Sequence, residues 1–314
     1  MSREIRSVLV VYKRSTFMYV QEENDSHMQE LLAQNEPSVT RMMKGHEENE
    51  ASIEHVRHVL ERRGVDAVWE HRPDMEKLGS FDLVISLGGD GTLLEAARAI
   101  SDSTPLLGIH SSRISSVGYL CAGEAEDFEE IFDRFVKEEL PTYRLTRIEA
   151  RCNGELILPY ALNDILYAHD VPAATTRYDI GMLYDGQDVL ASYEEQRSSG
   201  VWVSTATGST AAIHSAGGKI MPLQSRRLQY LVRELYAPPG IVPFHFDGGF
   251  VAGGQKLEIV SKMRKSTMFI DGPWNRFDVL YNDKLVFQPS SQHLMLYGDI
   301  ERTRRQRHHR ALDR

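Results

Sequence analysis

The chain has 314 residues, 41% hydrophobic and 26% charged, which is ordinary for a globular protein and leaves room for two domains and a sizeable core. No run approaches the roughly 18 apolar residues of a membrane span, and Met1-Ser2-Arg3-Glu4-Ile5 lacks the apolar centre of a secretory signal. Two isolated cysteines, Cys121 and Cys152, speak against a disulfide framework or a cysteine zinc site, and a net charge of −9 disfavours nucleic acid as a partner; a reducing cytoplasm is the expected location.

Ser7–Tyr12 is a short apolar run of buried-strand type. Residues from Phe17 to Glu50 are polar and weakly patterned, which predicts a helix around Met28–Gln34 and a mobile loop. Ile53, Val56, Val59 and Leu60 then recur at helical spacing, with Gly64 as a stop. Val65–Trp69, Phe81–Leu87 and Pro105–Ile109 read as further strands. Between the last two, Thr92–Ile100 is a helix with Leu93, Ala96, Ala97 and Ile100 on one face. Asp127–Glu139 is a second amphipathic helix, ended by Pro141. This alternation predicts an α/β domain over residues 1–143, with a mainly parallel sheet flanked by helices.

After Tyr143 the texture changes. Arg144–Arg151 alternates, Asn153-Gly154 signals a hairpin, and Glu155–Leu162 is the return strand. Asp185-Gly186 separates two extended runs, and Lys256–Val260, Thr267–Ile270, Phe277–Tyr281 and Leu285–Gln288 follow, with Asn282-Asp283 between the last pair. Residues 144–290 are therefore expected to form a β-rich domain without internal repeats. In the remainder, 291–314, Leu294–Gly298 is a strand or turn that returns to the first domain. From Glu301 to Arg314 six arginines stand against Glu301 and Asp313, a net of +4. The ordinary reading of that run is a solvated tail, and the sharper one an arm that attracts anions.

Three segments carry chemistry. Asp82–Leu87 enters Gly88-Gly89-Asp90-Gly91-Thr92, from which a helix leaves. Glycines permit positive φ and close approach of phosphate oxygens to the main chain, and a helix start offers unpaired N–H groups and partial positive charge. A carboxylate there can take a proton from an attacking hydroxyl or help to place a phosphate-bound magnesium ion; the plain alternative is a tight turn in which Asp90 or Thr92 caps the helix. Asn163-Asp164 ends an apolar strand, where an amide beside a carboxylate can grip sugar hydroxyls, or simply form an Asx turn. Ser198–Ile220 holds a strand at Val201-Trp202-Val203, a Thr-Gly-Ser-Thr turn and a helix start before Gly217-Gly218, a context suited to phosphate or ribose. Neither GxxxxGK[ST] nor GxGxxG occurs in these turns. His55 and His58 share a helix turn with no third ligand evident and read as solvated residues.

Taken in this order and spacing, the three segments resemble the NAD kinase family, and the likeness runs from about Phe81 to Gly272. Gly88–Thr92 is similar to its catalytic turn, Asn163-Asp164 to its Asn-Glu/Asp pair, Ser204–Ala211 to its long substrate motif with Ala206 where proline is usual, and Ile270-Asp271-Gly272 to an element of its β domain. The resemblance implies an N-terminal α/β domain, a C-terminal β-rich domain and an active site in the cleft between them. It implies transfer of a phosphate from ATP to NAD, possibly NADH, with Asp90 as the base toward the ribose 2′-hydroxyl. Gly88, Gly89, Gly91 and Thr92 would cradle phosphates. Asn163, Asp164, Thr207, Ser209, Thr210, Ala211, Ser215 and Asp271 would bind the dinucleotide. Mg2+ or another divalent cation would come with ATP, without a separate protein metal site, and the protein would be a homodimer or homotetramer. Departures stand at Ser199, where the family usually has aspartate, at Ala212, where an aromatic is usual, at His110, where asparagine is common, and in the loosely similar Ser111–Tyr119. The changes at Ser199 and Ala212 together predict weak discrimination between NAD and NADH. A lipid kinase of the diacylglycerol or sphingosine type, which shares the Gly-Gly-Asp-Gly turn, and a non-catalytic dinucleotide sensor are the alternatives.

Overall fold

The computed structural model of the chain describes residues 3–23, 25–71, 79–184, 186, 193–238 and 244–303. Two compact units emerge, Met1–Tyr143 with Leu294–Arg314, and Arg144–His293. The first contains β1 (Ser7–Tyr12), α1 (Thr16–Glu23), α2 (Ser26–Ala33), α3 (Pro37–Arg62), β2 (Asp66–Glu70), β3 (Leu83–Gly88), α4 (Asp90–Arg98), β4 (Leu106–His110), β5 (Gly123–Glu124) and α5 (Phe128–Val136). The chain leaves it through β6 (Thr142–Leu145). The second contains β7 (Ile148–Cys152), β8 (Glu155–Ala161), β9 (Asp164–Ala168), β10 (Thr176–Tyr184), β11 (Glu194–Ser198), β12 (Gly200–Ser204), α6 (Ala212–Ser215), β13 (Leu228–Arg233), β14 (Gly248–Val251), β15 (Gln255–Ser261), β16 (Lys265–Ile270), β17 (Asn275–Leu280) and β18 (Lys284–Pro289). β19 (Leu294–Tyr297) then pairs in parallel with β4, so the closing segment is a strand of the first unit.

In the first unit the strands run β2-β1-β3-β4-β19-β6, with β5 on β4. The β1–β2, β1–β3, β3–β4 and β4–β19 pairs are all parallel. Val8, Val10, Leu83, Ile85, Leu87 and Ile109 of the strands pack with Val56, Val59 and Leu60 of α3 and with Phe128, Phe132 and Phe135 of α5 in one core. The second unit holds two six-stranded antiparallel sheets, β11-β10-β15-β18-β7-β8 and β14-β13-β12-β9-β16-β17, whose alternate residues share one core. Asn153 and Gly154 both have positive φ, 51° and 88°, as the tight turn between β7 and β8 requires.

One expectation fails. The polar stretch before Glu50 is helical from Thr16 to Glu23, Ser26 to Ala33 and Pro37 onward, and its described residues form no long loop. Local capping explains this: the Asp25 carboxylate accepts from the His27 and Met28 amides, and Glu36 accepts from Ser38 and Val39 with Pro37 at the first position of α3. The inward face of early α3 is marked by Val39, Gly45 and Asn49, two of them not apolar, so no 3.6-residue hydrophobic period was there to read. The Asp185 half of the Asp185-Gly186 turn and the arginines from Arg304 onward lie outside the described residues. Among the described residues no helix is long and apolar enough to cross a membrane. Cys121 and Cys152 are buried thiols, and His58 pairs with Glu54 one turn back on α3.

Candidate active site

In the first unit β3, buried along its whole length, ends in Gly88, and α4 begins at Asp90, two residues earlier than expected. The turn does not use positive φ. Gly89, the residue before the helix, has φ −102° and ψ −165°. What demands glycine is space: a Cβ on Gly88 would lie 2.2 Å from Thr92 Oγ1, and one on Gly89 2.4 Å from Ser116 Oγ. Gly91 is exposed with nothing within 4 Å of the place a Cβ would take, so the main chain is open there. No side chain caps α4, and its first amides are left for an anion.

Asp90 is not a cap either. Its carboxylate accepts the amides of Tyr119 at 3.0 Å and Leu120 at 2.8 Å. Two of its about four lone-pair positions are thereby used, and the rest remain for chemistry. Neither contact was legible in sequence, because backbone amides carry no side-chain signature. The loop that supplies them is pinned by His110, which is 2% exposed. Its Nδ1 is hydrogen-bonded to Glu124 at 2.8 Å and its Nε2 to Ser116 at 2.9 Å. The histidine that departs from the family pattern therefore holds Ser116 over Gly89.

In the second unit β8 ends at Ala161, as expected just before the Asn163-Asp164 pair, and the chain then turns into the next strand. Asp164 opens β9, opposite Ser204 of β12. Asp271, at φ +47°, organises this corner: its carboxylate accepts the amides of Leu162 at 2.7 Å, Asn163 at 2.7 Å and Asp164 at 3.1 Å. The Thr205 hydroxyl donates to Leu162 O and accepts the amides of Thr207 and Gly208. A Cβ on Gly208 would fall 2.2 Å from Asn163 O. The Asn163-Asp164 corner and the Thr207–Ala211 turn are thus brought together. Ser209 is fully buried, donating to Ala206 O and accepting the Met221 amide, so its hydroxyl is consumed inside the turn. Asn163 Oδ1 is buried without a partner, an acceptor in want of a donor. Thr210 and Ala211 are half-buried and Ser215 is exposed.

Beside Asp164 lies a cavity of about 390 Å³ whose walls include Ala168, Ser199, Trp202, Phe269 and Gly272. Trp202 and Phe269 carried no sequence signal beyond strand alternation. Ser199 and Ala212 stand before and after β12 and the turn that follows it. Ser199 is thus in the cavity wall, and Ala212 is exposed at the start of α6.

Burial, and then the Asp271 carboxylate, push the Asp164 carboxyl up to about 7. The folded chain therefore holds this proton where the unfolded chain, near 3.9, has released it. Stability should fall as pH rises between about 4 and 7, by on the order of 2–4 kcal/mol from this group. Melting temperatures of wild type and Asp164→Asn across that range check it: the wild type should lose ground steadily to the variant up to about pH 8. Parallel curves would show that Asp164 ionises freely in the fold.

Residues 1–140 match the family model described as the ATP-NAD kinase N-terminal domain. Over 245 residues the chain is 35% identical to a probable NADH kinase of Oryza sativa subsp. japonica, covering 72% of this chain and 74% of that protein. It is 33% identical over 258 residues to an NADH kinase of Arabidopsis thaliana, 77% of each. A crystal structure of an NAD kinase from Archaeoglobus fulgidus in complex with ATP superposes with a TM-score of 0.66 at 22% identity, covering 95% of this chain and 96% of that one. Yeast NADH kinase complexed with NADH gives 0.68 at 17% identity, covering 98% and 88%. These two establish the fold, and the plant relatives, matched over about three quarters of their length, establish more: the chain belongs to the NAD kinase family.

Proposed function

We propose that the protein transfers the terminal phosphate of ATP to the 2′-hydroxyl of the adenosine ribose of NAD or NADH, giving NADP(H). The observation that carries this is Asp90, a carboxylate seated on two loop amides at the start of a glycine-rich helix turn, in a chain similar to named NADH kinases. Asp90 takes the hydroxyl proton, and the amides around Gly88, Gly89, Gly91 and Thr92 receive the donor phosphates. Asn163 and Asp164, with Thr207, Thr210, Ala211 and Ser215, contact the dinucleotide. Ser209 and Asp271 act one step back, by shaping the turn and the corner those residues occupy. The aromatic cavity beside Asp164 suits a flat ring.

Among the described residues no three His, Cys, Asp or Glu side chains gather as a metal cage. Magnesium would come with the donor's phosphates, an arrangement that needs only one or two protein carboxylates, and Asp90 is the carboxylate at the turn. When bound, the ion neutralises phosphate charge. Buried thiols at Cys121 and Cys152 support a cytoplasmic location. Large apolar side chains exposed on the β-rich unit, among them Leu158, Leu280 and Tyr281, support a homodimer or homotetramer.

The test is an acceptor panel of NAD, NADH and diacylglycerol with ATP and magnesium, read by mass spectrometry. Phosphorylation of both dinucleotides is expected, with kcat/KM for NADH within about tenfold of NAD, or roughly 1.4 kcal/mol. Ala212 is exposed at the start of α6, and Ala212→Tyr should shift the ratio toward NAD by restoring a flat surface. A lipid product, or no product with either dinucleotide, would overturn the assignment.

A further inference from the structure

In the first unit two cations, Lys13 and Arg41, line one cavity and form no salt bridge among the described residues, while His46 beside them faces Glu50 at 3.9 Å. In the order β2-β1-β3-β4, β1 has its successor β2 on one side and β3 on the other. Connections diverge between β1 and β3, and open parallel sheets bind ligands outside the carboxyl ends of the strands at such a point. The carboxyl end of β3 is the Gly88-Gly89-Asp90 turn. The carboxyl end of β1 is Lys13, whose amide donates to Leu87 O at 2.9 Å and whose carbonyl accepts the buried Asn49 side chain at 2.9 Å. A cavity of about 250 Å³ opens beside it, walled by Lys13, Ser15, Thr16, Arg41, His46 and Ser115.

The Lys13 ammonium donates to Ser115 Oγ at 2.8 Å, and among the described residues the Arg41 guanidinium donates to Ile114 O at 3.5 Å. Carboxylates nearby are engaged elsewhere. Glu22 pairs with Arg14, Glu36 caps α3, and Glu48 accepts the Ser112 hydroxyl and the Ile114 amide. Burial holds the Lys13 amine below the ordinary lysine range. A cavity that gathers Lys13 and Arg41 with hydroxyl groups suits a small polyanion. It is also tied to the catalytic turn, since Ser115 precedes Ser116, which packs on Gly89, in the loop whose later amides hold Asp90.

We propose that this cavity is an anion subsite in which Lys13 and Arg41, with the hydroxyls of Thr16 and Ser115, hold the phosphate chain of the phosphoryl donor. The proposal rests on the kinase reading and adds to it the residues outside the glycine-rich turn that grip the donor. Linked phosphates occur in nucleoside triphosphates and in inorganic polyphosphate, so calorimetric titration of the full chain uses both ATP and tripolyphosphate, with NAD as control. Lys13→Met should weaken the phosphate ligands at least tenfold and Arg41→Met about threefold, with NAD affinity unchanged. Lys13→Arg should recover to within about threefold of wild type. A loss for tripolyphosphate alone would keep the subsite and assign it to the inorganic chain; a loss for ATP alone would keep it for the nucleotide. Arg41 is exposed, so its variant retains the test should Lys13→Met fail to fold. Unchanged affinity for both phosphate ligands in Lys13→Met and Arg41→Met, while NADP(H) is still made, would overturn the subsite alone. Loss of tripolyphosphate affinity in a protein that makes no NADP(H) would instead keep the subsite and overturn the kinase assignment.

Discussion

Asp90→Asn should lower kcat by about 10²–10⁴-fold, the range that general-base catalysis supplies, and should also lower stability. A sequence reading alone expects the amide to be tolerated, as the nearest isostere of a carboxylate on an open turn. The structure changes that expectation. Both carboxylate oxygens accept an N–H, from Tyr119 and from Leu120. An asparagine can offer an oxygen to one of them and must point its NH2 at the other, which leaves a part-buried donor unpaired at a cost of about 1–3 kcal/mol. Asp90→Ala leaves both unpaired and should melt lower still. The measurements are kcat at saturating substrate, the melting temperature, and ATP affinity by titration. The base assignment requires that kcat fall far more than ATP affinity in a variant that is still folded at the assay temperature. A variant with kcat within tenfold of wild type would mean that another group accepts the hydroxyl proton.

Much of the fold was legible because its signals are local and periodic. β1, β3 and β4 are short apolar runs bounded by turn residues, and Asn153-Gly154 marks its hairpin with two positive φ values. In the stretch before Glu50 the helix around Met28 is present as expected, but the helices on either side of it are hidden in the sequence, because their order comes from the cap at Glu36 and from an inward face of Val39, Gly45 and Asn49, which has no hydrophobic period. At the site, side chains with unusual company could be named in advance: Asp90 among glycines, and Asn163 beside Asp164. What holds them could not. Asp90 rests on amides 29 and 30 residues away, and Asp271 on amides more than 100 residues away. Such contacts depend on tertiary folding, and an amide looks the same in every residue. The reason for glycine at positions 88 and 89 was likewise hidden, since crowding by Thr92 and Ser116, not positive φ, decides it.

Asp271→Ala should be the most destabilising single change in the second unit's candidate site. The carboxylate takes three backbone amides, Leu162, Asn163 and Asp164, two of them at 2.7 Å, and Asp271 itself is only 8% exposed. Truncation removes the acceptor and leaves the donors buried, each costing about 1–3 kcal/mol if water cannot reach it. Alanine is also a poor occupant of φ +47°. A loss of about 3–5 kcal/mol is expected, which for a unit of this size is a fall of roughly 10 °C or more in melting temperature. Asp271→Asn separates stability from function. Asparagine tolerates the left-handed conformation and keeps one acceptor, so this variant should fold, with a smaller loss. It also removes the charge that helps to raise Asp164, so the Asp164-linked fall in stability should end at a lower pH and be smaller. If Asp271 works by holding the Asn163-Asp164 corner, KM for the dinucleotide should rise tenfold or more in Asp271→Asn while KM for ATP moves less than about threefold. Equal losses for both substrates would place Asp271 in the general stability of the unit, and an unchanged melting temperature in Asp271→Ala would show that the three amides find other partners.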